Sequence, residues 1–382
     1  MQMPSYMIQR AHLDRLIHSV QQAGYRCIGP QVREGTIVYD TLTQAKQLPW
    51  GINAQQTPGK YHIEQTDDPR AFAWANGPQA LKPILFKPIE TVWRVTRDAQ
   101  GKLLFQPEAV TEEPIAFFGA RACDLAAMGV QDQVFIHQQA VDPRYQARRQ
   151  NLLVIAVNCG VSSSNCFCVS AGTGPEVSSQ YDMVMTEIAN GFVIQAGSST
   201  GEQLLTLLNL NYATDTEILL AKEEPLKAAA MQTKRIPFDN TSALRDLLFS
   251  QLNHPRWDEV AERCLSCGNC TSVCPTCFCQ STVEKPALDG QSSVHQHEWD
   301  SCFTAGHSYV AGHSVRDHTR ERYRQWLTHK VGSWFDQFGS SGCVGCGRCV
   351  TWCPVGIDIT EELAAISGES HVALDRVERE NE

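Results

Sequence analysis

The chain has 382 residues, of which 42% are hydrophobic and 19% charged, and a formal net charge of −10. This is ordinary globular composition, long enough for two or three domains, and it excludes a mostly disordered chain. The acidic balance gives nucleic acid no basic patch to bind and serves solubility instead.

Taken in chain order, Leu13, Leu16, Ile17 and Val20 fall at helical spacing and predict an amphipathic helix over 12–22. Short segments such as 36–39 and 84–86 follow, broken by Gly and Pro, as in a mixed α and β region. Residues 114–118 (PIAFF) and 152–157 (LLVIAV) read as buried strands, with a helix over 124–135 between them. That order predicts a βαβ unit and some parallel sheet. Further short strands and one helix are expected over 178–220. Helices follow at 242–252, with Ser242 as its N-cap, and at 257–263, and a long polar helix covers 314–329. Asp358 and Glu361 are spaced as a capping box opening a last helix. The expected fold class is α+β. A mixed α/β domain occupies 1–240, a helical dicluster domain 241–366 and a charged tail 367–382. No apolar run approaches the roughly 18 residues of a membrane helix. The first residues lack a basic stretch followed by an apolar one, so no signal peptide is expected. The expectation is a cytoplasmic protein with no membrane insertion.

Sixteen cysteines in such a chain point to metal rather than to disulfides. Cys27 stands alone and reads as a small core residue. The other fifteen lie between Cys123 and Cys353, mostly in tight groups. Cys264, Cys267, Cys270 and Cys274 precede Pro275, and Cys343, Cys346, Cys349 and Cys353 precede Pro354. Both runs read C-x2-C-x2-C-x3-C-P, the bacterial ferredoxin pattern, in which the fourth cysteine ligates the other cluster. The two-residue gaps let one tight turn aim three thiolates at three corners of a cube. Gly268, Gly345 and Gly347 allow the backbone conformations that such a turn needs. A pair of structural zinc sites is the alternative, but a third close cysteine and the Cys-Pro ending are not its habit. The expected ligand sets are Cys264, Cys267, Cys270 and Cys353 for one [4Fe–4S] cluster, and Cys343, Cys346, Cys349 and Cys274 for the other.

Cys123 sits near the start of one predicted helix, and Cys159, Cys166 and Cys168 follow a predicted strand. In a βαβ unit these places face the same end of the sheet. From spacing alone the four thiols read equally as a third cluster site, a zinc site or buried free thiols.

The stretches GARACDLAAMGVQDQVF, CFCVSAGTGP, CPTCFCQ, WDSCF and CVGCGRCVTWCPVGIDI resemble the β subunit of sulfhydrogenase, the iron–sulfur subunit of soluble cytoplasmic [NiFe]-hydrogenases. The electron-carrier subunit of anaerobic sulfite reductase is similar and is the alternative reading. The resemblance runs from about Tyr25 to Leu363. It departs from the family at Ala122, where a proline is usual. It implies electron transfer between a flavin subunit that handles NAD(P)H and a catalytic [NiFe]-hydrogenase module. It also implies a third [4Fe–4S] cluster on Cys123, Cys159, Cys166 and Cys168. Cys277, Cys279 and Cys302 remain available as ligands, but packing beside a cluster is the favoured reading for them. A stand-alone reductase of the heterodisulfide type would carry paired CCG sequences, and the chain has no adjacent cysteine pair.

Weaker signals have plain readings. Gly-Thr-Gly-Pro at 172–175 lacks a Walker lysine and reads as a turn beside the cysteines. No dinucleotide fingerprint or catalytic set is present, so no catalytic residue is expected. His295 and His297 read as part of an exposed loop. Arg316, Arg320 and Arg324 read as a solvated helix face, or as cations that offset cluster charge.

Overall fold

The apolar run at 152–157 forms a strand buried at every position, Leu152–Val157, because it is covered on both faces. The structure is a computed structural model and describes residues 4–110, 112–237 and 241–368. The chain opens with β1 (Ser5–Gln9), α1 (Leu13–Gln22), β2 (Arg26–Arg33), β3 (Thr36–Thr41), β4 (Ile52–Thr57) and β5 (Lys60–Gln65). Next come α2 (Lys82–Leu85), β6 (Ile89–Arg97), β7 (Leu103–Pro107), β8 (Ile115–Ala120), α3 (Ala122–Phe135), α4 (Pro143–Gln150) and β9 (Leu152–Val157). They are followed by β10 (Met183–Ile188), β11 (Gly191–Ala196), α5 (Ser199–Leu207), β12 (Asn211–Tyr212) and α6 (Asp215–Ala230). The remainder holds α7 (Ser242–Ser250), α8 (Arg256–Arg263), α9 (Asn269–Ser272), β13 (Gln280–Pro286) and β14 (Ser292–Trp299). It ends with α10 (Thr319–Thr328), α11 (Trp334–Phe338), α12 (Arg348–Thr351) and α13 (Ile359–Ser367).

Eight strands form the central sheet in the order β12-β1-β11-β10-β9-β8-β2-β3. Its middle is parallel, through β10–β9, β9–β8 and β8–β2, as the strand–helix–strand pattern predicts. Leu153, Ile155 and Val157 join the core under Leu13, Leu16, Ile17 and Val20 of α1 and Leu204 and Leu205 of α5. Leu152, Val154 and Ala156 point the other way, to Leu125, Met128 and Phe135 of α3. Truncating Ile155 to Ala would open a cavity on the α1 side, at a cost of about 2–5 kcal/mol. This covered sheet is the platform that presents the ends of β8 and β9.

A second core gathers Leu244, Leu248, Trp257, Val260, Tyr323, Trp326, Leu327, Val350, Ile359 and Leu363 around the ferredoxin runs. Mixed α/β architecture therefore holds, but the segment between the two runs is part sheet. Hairpin β13–β14 pairs with β6, giving the order β13-β14-β6-β7. Its strands carry few apolar residues, and its partner lies about 200 residues earlier, so the period-two signal was weak. His295 and His297 sit in β14 rather than in a loop, and His295 stacks on Trp93 with ring centroids 4.4 Å apart.

Other elements differ in detail. The region 178–220 holds the start of a second helix, α6, opened by a capping box between Thr214 and Glu217. Thr241 rather than Ser242 occupies the N-cap position of α7. The predicted polar helix shortens to α10, because Tyr309–Val310 and His313–Ser314 pair as a small ladder before it. Asp358 caps α13 by accepting the Thr360 N–H at 2.9 Å. The tail from 369 onward lies outside the described residues.

Candidate metal centres

The two ferredoxin runs are built alike. The first leaves α8 at Cys264, turns at Gly268 (φ +72°) and enters the four-residue α9. The second turns at Gly345 (φ +62°) and Gly347 (φ +75°) and enters the four-residue α12. These left-handed conformations favour glycine, which is why both runs carry it there. A cavity lies between the runs. Cys264, Cys267 and Cys270 of the first run line it together with Cys349 and Cys353 of the second. Phe303, Tyr323, Trp326, Ile357 and Ile359 supply apolar walls. The Ser266 N–H donates to Cys264 Sγ at 3.4 Å, and the Ile357 N–H to Cys353 Sγ at 3.3 Å. Tyr323 OH and Trp326 Nε1 are buried and find no hydrogen-bond partner among the described residues. Five soft donors around an apolar space, with buried polar atoms lacking partners at its wall, suit a sulfide-bearing cluster. Burial raises the Cys270 thiol well above its ordinary value, and Cys302, Cys264, Cys353 and Cys274 add to the effect.

Cys274 turns away from that cavity toward the second run. Burial raises the Cys349 thiol well above its ordinary value, and Cys343, Cys274 and Cys346 reinforce the rise. Thr276 Oγ1 lies 3.1 Å from Cys274 Sγ, and the Lys330 ammonium donates to that sulfur at 3.2 Å. Lys330 sits on a π-helical turn, His329–Ser333, between α10 and α11, and is 5% exposed. Burial opposes its charge, but the Cys274, Cys277 and Cys343 thiols overcome that and hold its pKa well above the ordinary value. Burial pushes the Cys343 thiol up to about 12, against the pull of Lys330. A second buried lysine, Lys82, donates to the Thr271 carbonyl at 3.2 Å and stacks 3.8 Å from the Trp299 ring centre.

Two members of the third group lie at the ends of neighbouring parallel strands. Cys123 is in the first turn of α3, just after β8, and Cys159 follows β9, the parallel neighbour of β8. Cys166 and Cys168 come from the loop beyond. Burial pushes the Cys166 thiol up to about 11, with Cys159 and Cys346 adding to it against Ser163. Burial likewise raises Cys168, with Cys159, Cys166 and Cys346 contributing. Gln232 Nε2 donates to Cys168 Sγ at 3.1 Å, and Asn76 Nδ2 to Cys123 Sγ at 3.6 Å. Ala122 occupies the first helical position of α3, a place that also accepts proline, so the departure there leaves the turn intact.

This group is fastened to the second run. The Phe167 N–H donates to the Gly345 carbonyl at 2.8 Å. A Cβ on Gly347 would lie 2.2 Å from the Asn165 carbonyl oxygen. Arg348 and Asp124 form an ion pair at 2.8 Å, with side chains 1% and 0% exposed. Arg348 also donates to the Gly77 and Gln79 carbonyls and to Asn76 Oδ1 at 3.0–3.2 Å. The turn at 172–175 belongs here too, because Thr173 Oγ1 donates to the Val344 carbonyl at 2.7 Å.

Among the described residues, no set of three or more His, Cys, Asp or Glu gathers tightly enough to hold a single metal ion. Cys27 is a core residue, 1% exposed. The three arginines serve separate ends. Arg320 pairs with Asp258 at 2.8 Å, Arg324 donates to the Leu252 carbonyl at 2.6 Å, and Arg316 borders a second, larger cavity. The cations that touch cysteine sulfur are ones the sequence reading did not single out, above all Lys330. Asp124 and Arg348 were visible as charges inside cysteine motifs, which was the available signal.

Residues 263–357 match the family described as a 4Fe-4S dicluster domain. Sulfhydrogenase 2 subunit beta of Pyrococcus furiosus is 31% identical over 274 residues, which are 70% of this chain and 79% of that protein. The chain belongs to the sulfhydrogenase β-subunit family. No solved structure matches it. As a sulfhydrogenase β-type protein it is an iron–sulfur protein, and both ferredoxin runs fall within the matched domain. Among the described residues, no helix is long and apolar enough to cross a membrane.

Proposed function

We propose that the chain is the electron-transfer subunit of a hydrogenase-type complex, set between a flavin subunit that handles NAD(P)H and a catalytic [NiFe] module. It holds three [4Fe–4S] clusters. Cys264, Cys267, Cys270 and Cys353 hold the first, Cys274, Cys343, Cys346 and Cys349 the second, and Cys123, Cys159, Cys166 and Cys168 the third. Bound there, such clusters supply one-electron transfer at potentials set by their surroundings. The observation that carries the reading is the cavity in which three cysteines of one run meet the fourth of the other. It is supported by the row the groups form. Cys270 is near enough to Cys274, and Cys346 to Cys123 and Cys168, to influence their thiols. The protein's own groups do the tuning, with Lys330 placing positive charge beside Cys274 and backbone N–H groups donating to Cys264 and Cys353.

A hydride donor cannot reduce such centres directly, because a flavin must first split its electron pair. The isolated, reconstituted chain should therefore be bleached by dithionite but not by NADH or NADPH until a flavin subunit from the same source is added. Rapid bleaching by NAD(P)H in the flavin-free chain would overturn the reading. Cys270→Ser, and separately Cys166→Ala with Cys168→Ala, should each remove about four iron atoms per chain. Unchanged iron in either variant would move that set of ligands elsewhere.

A further inference from the structure

The largest cavity described, about 850 Å³, lies outside the three groups above. Cys277, Cys279, Cys302 and His307 all line it. These are three soft sulfur donors and one imidazole, and none of them is among the twelve cysteines assigned above, although Cys277 lies against Cys274. Cys277 and Cys279 follow Cys274 on the strand leading into β13, and Cys302 and His307 follow the end of β14. The β13–β14 hairpin therefore brings both pairs to one wall, since Gln280 pairs with Trp299 at its base.

His307 is held as a metal-binding histidine is held. Its Nδ1 lies 3.0 Å from Asp300 Oδ2, the kind of carboxylate contact that orients a ligating histidine. Asp300 is itself fixed by the Ser281 hydroxyl and by the Ser301 N–H, which donates to it at 2.7 Å. The His307 ring also contacts the Cys279 sulfur. Two further features point to an anionic occupant. Arg316 borders the cavity, and its Nε is buried without a partner among the described residues. Lys330 borders it as well, 3.7 Å from Cys277 Sγ. The donors are spread along a broad wall rather than gathered at a point, which suits a multi-atom group.

We propose that Cys277, Cys279, Cys302 and His307 hold a fourth [4Fe–4S] cluster, ligated by three thiolates and one histidine. It sits beside the second site, since Lys330 bridges Cys274 and Cys277. With one neutral ligand it carries less negative charge than its all-cysteine neighbours, so its potential lies above theirs. It can therefore hold an electron at a branch of the row.

Iron, acid-labile sulfide and zinc should be assayed in the anaerobically reconstituted full chain, beside Cys279→Ala/Cys302→Ala and His307→Cys. The expected result is about 16 iron atoms per chain, falling to about 12 in the double cysteine variant. His307→Cys should keep the iron but lose the nitrogen hyperfine coupling seen by pulsed electron paramagnetic resonance of the reduced protein. If the double variant misfolds, that loss of coupling is the deciding readout. Unchanged iron in the double variant, no nitrogen coupling in the parent protein, or one zinc lost in place of four irons would each overturn the fourth cluster. None of these outcomes touches the other three, whose failure would appear instead in the Cys270 and Cys166/Cys168 variants.

Discussion

Replacing Arg348 with Met should be among the most damaging single changes away from the cysteines. Its guanidinium is 1% exposed and faces Asp124, which is 0% exposed, at 2.8 Å. Removing one partner of a buried pair strands the other charge, at a cost of about 3–5 kcal/mol. The Gly77 and Gln79 carbonyls and Asn76 Oδ1 lose donors as well, at roughly 1 kcal/mol each when nothing replaces them. At about 2.1 cal/mol/K per residue, unfolding a chain of this length carries roughly 0.8 kcal/mol/K, so a loss of about 7 kcal/mol lowers Tm by about 9 °C. Differential scanning calorimetry of the anaerobically reconstituted protein measures this. Adding Asp124→Asn should restore part of the loss, because asparagine still accepts the Arg121 N–H without leaving a buried charge. Arg320→Met is the control, since its partner Asp258 is 63% exposed and bridges to such groups are worth about 0–1 kcal/mol. A shift below about 1 °C for Arg348→Met, or no recovery in the double variant, would refute the assignment of this pair as the clamp between the halves.

Other expectations follow from the same contacts. Gly347→Ala should lower the iron content by disturbing the second and third groups, because its Cβ would meet the Asn165 carbonyl at 2.2 Å and φ is +75°; full iron with unchanged spectra would count against the close approach. Lys330→Met should lower the reduction potential of the centre beside Cys274 by on the order of 100 mV, read by redox titration, as expected for loss of a cation about 5–6 Å from the charge. Asp68 gives a pH dependence: its bonds to Arg70 outweigh burial and hold its carboxyl below the usual value. That contribution is present above the ordinary carboxylate pKa and disappears as pH falls through the lowered one, so Asp68→Asn should make acid unfolding less steep in a circular dichroism titration.

The ferredoxin cysteines were legible because their ligation pattern is local and periodic, and the β8–α3–β9 unit because both strands are apolar throughout. The grouping of Cys123 with Cys159 followed from those strands being parallel, although spacing alone left zinc and free thiols open. What could not be read is non-local. The β13–β14 hairpin is polar and gains its place by pairing with β6, and Lys330 reaches Cys274 through a π turn that no hydrophobic period announces. Arg316, Arg320 and Arg324 read as a solvated face, with cluster counter-charge as the alternative. Helical spacing says which residues share a face, not what that face meets, and Arg320 and Arg324 turned out to tie α10 to α8 and Leu252.

The meeting of Cys353 with the first run has a consequence for how the molecule is made. Cys270 and Cys353 line one cavity across a loop of about 80 residues, and closing so long a loop carries an entropic cost that a metal bond would hold down like a staple. Until Cys353 has been synthesised, the first cavity lacks a wall. Until Gly345 and Gly347 have been synthesised, the loop bearing Cys166 and Cys168 lacks the backbone that Phe167 and Asn165 pack against. A chain that ends before residue 343 therefore carries its sheet but lacks part of the first cavity's wall and the whole second run.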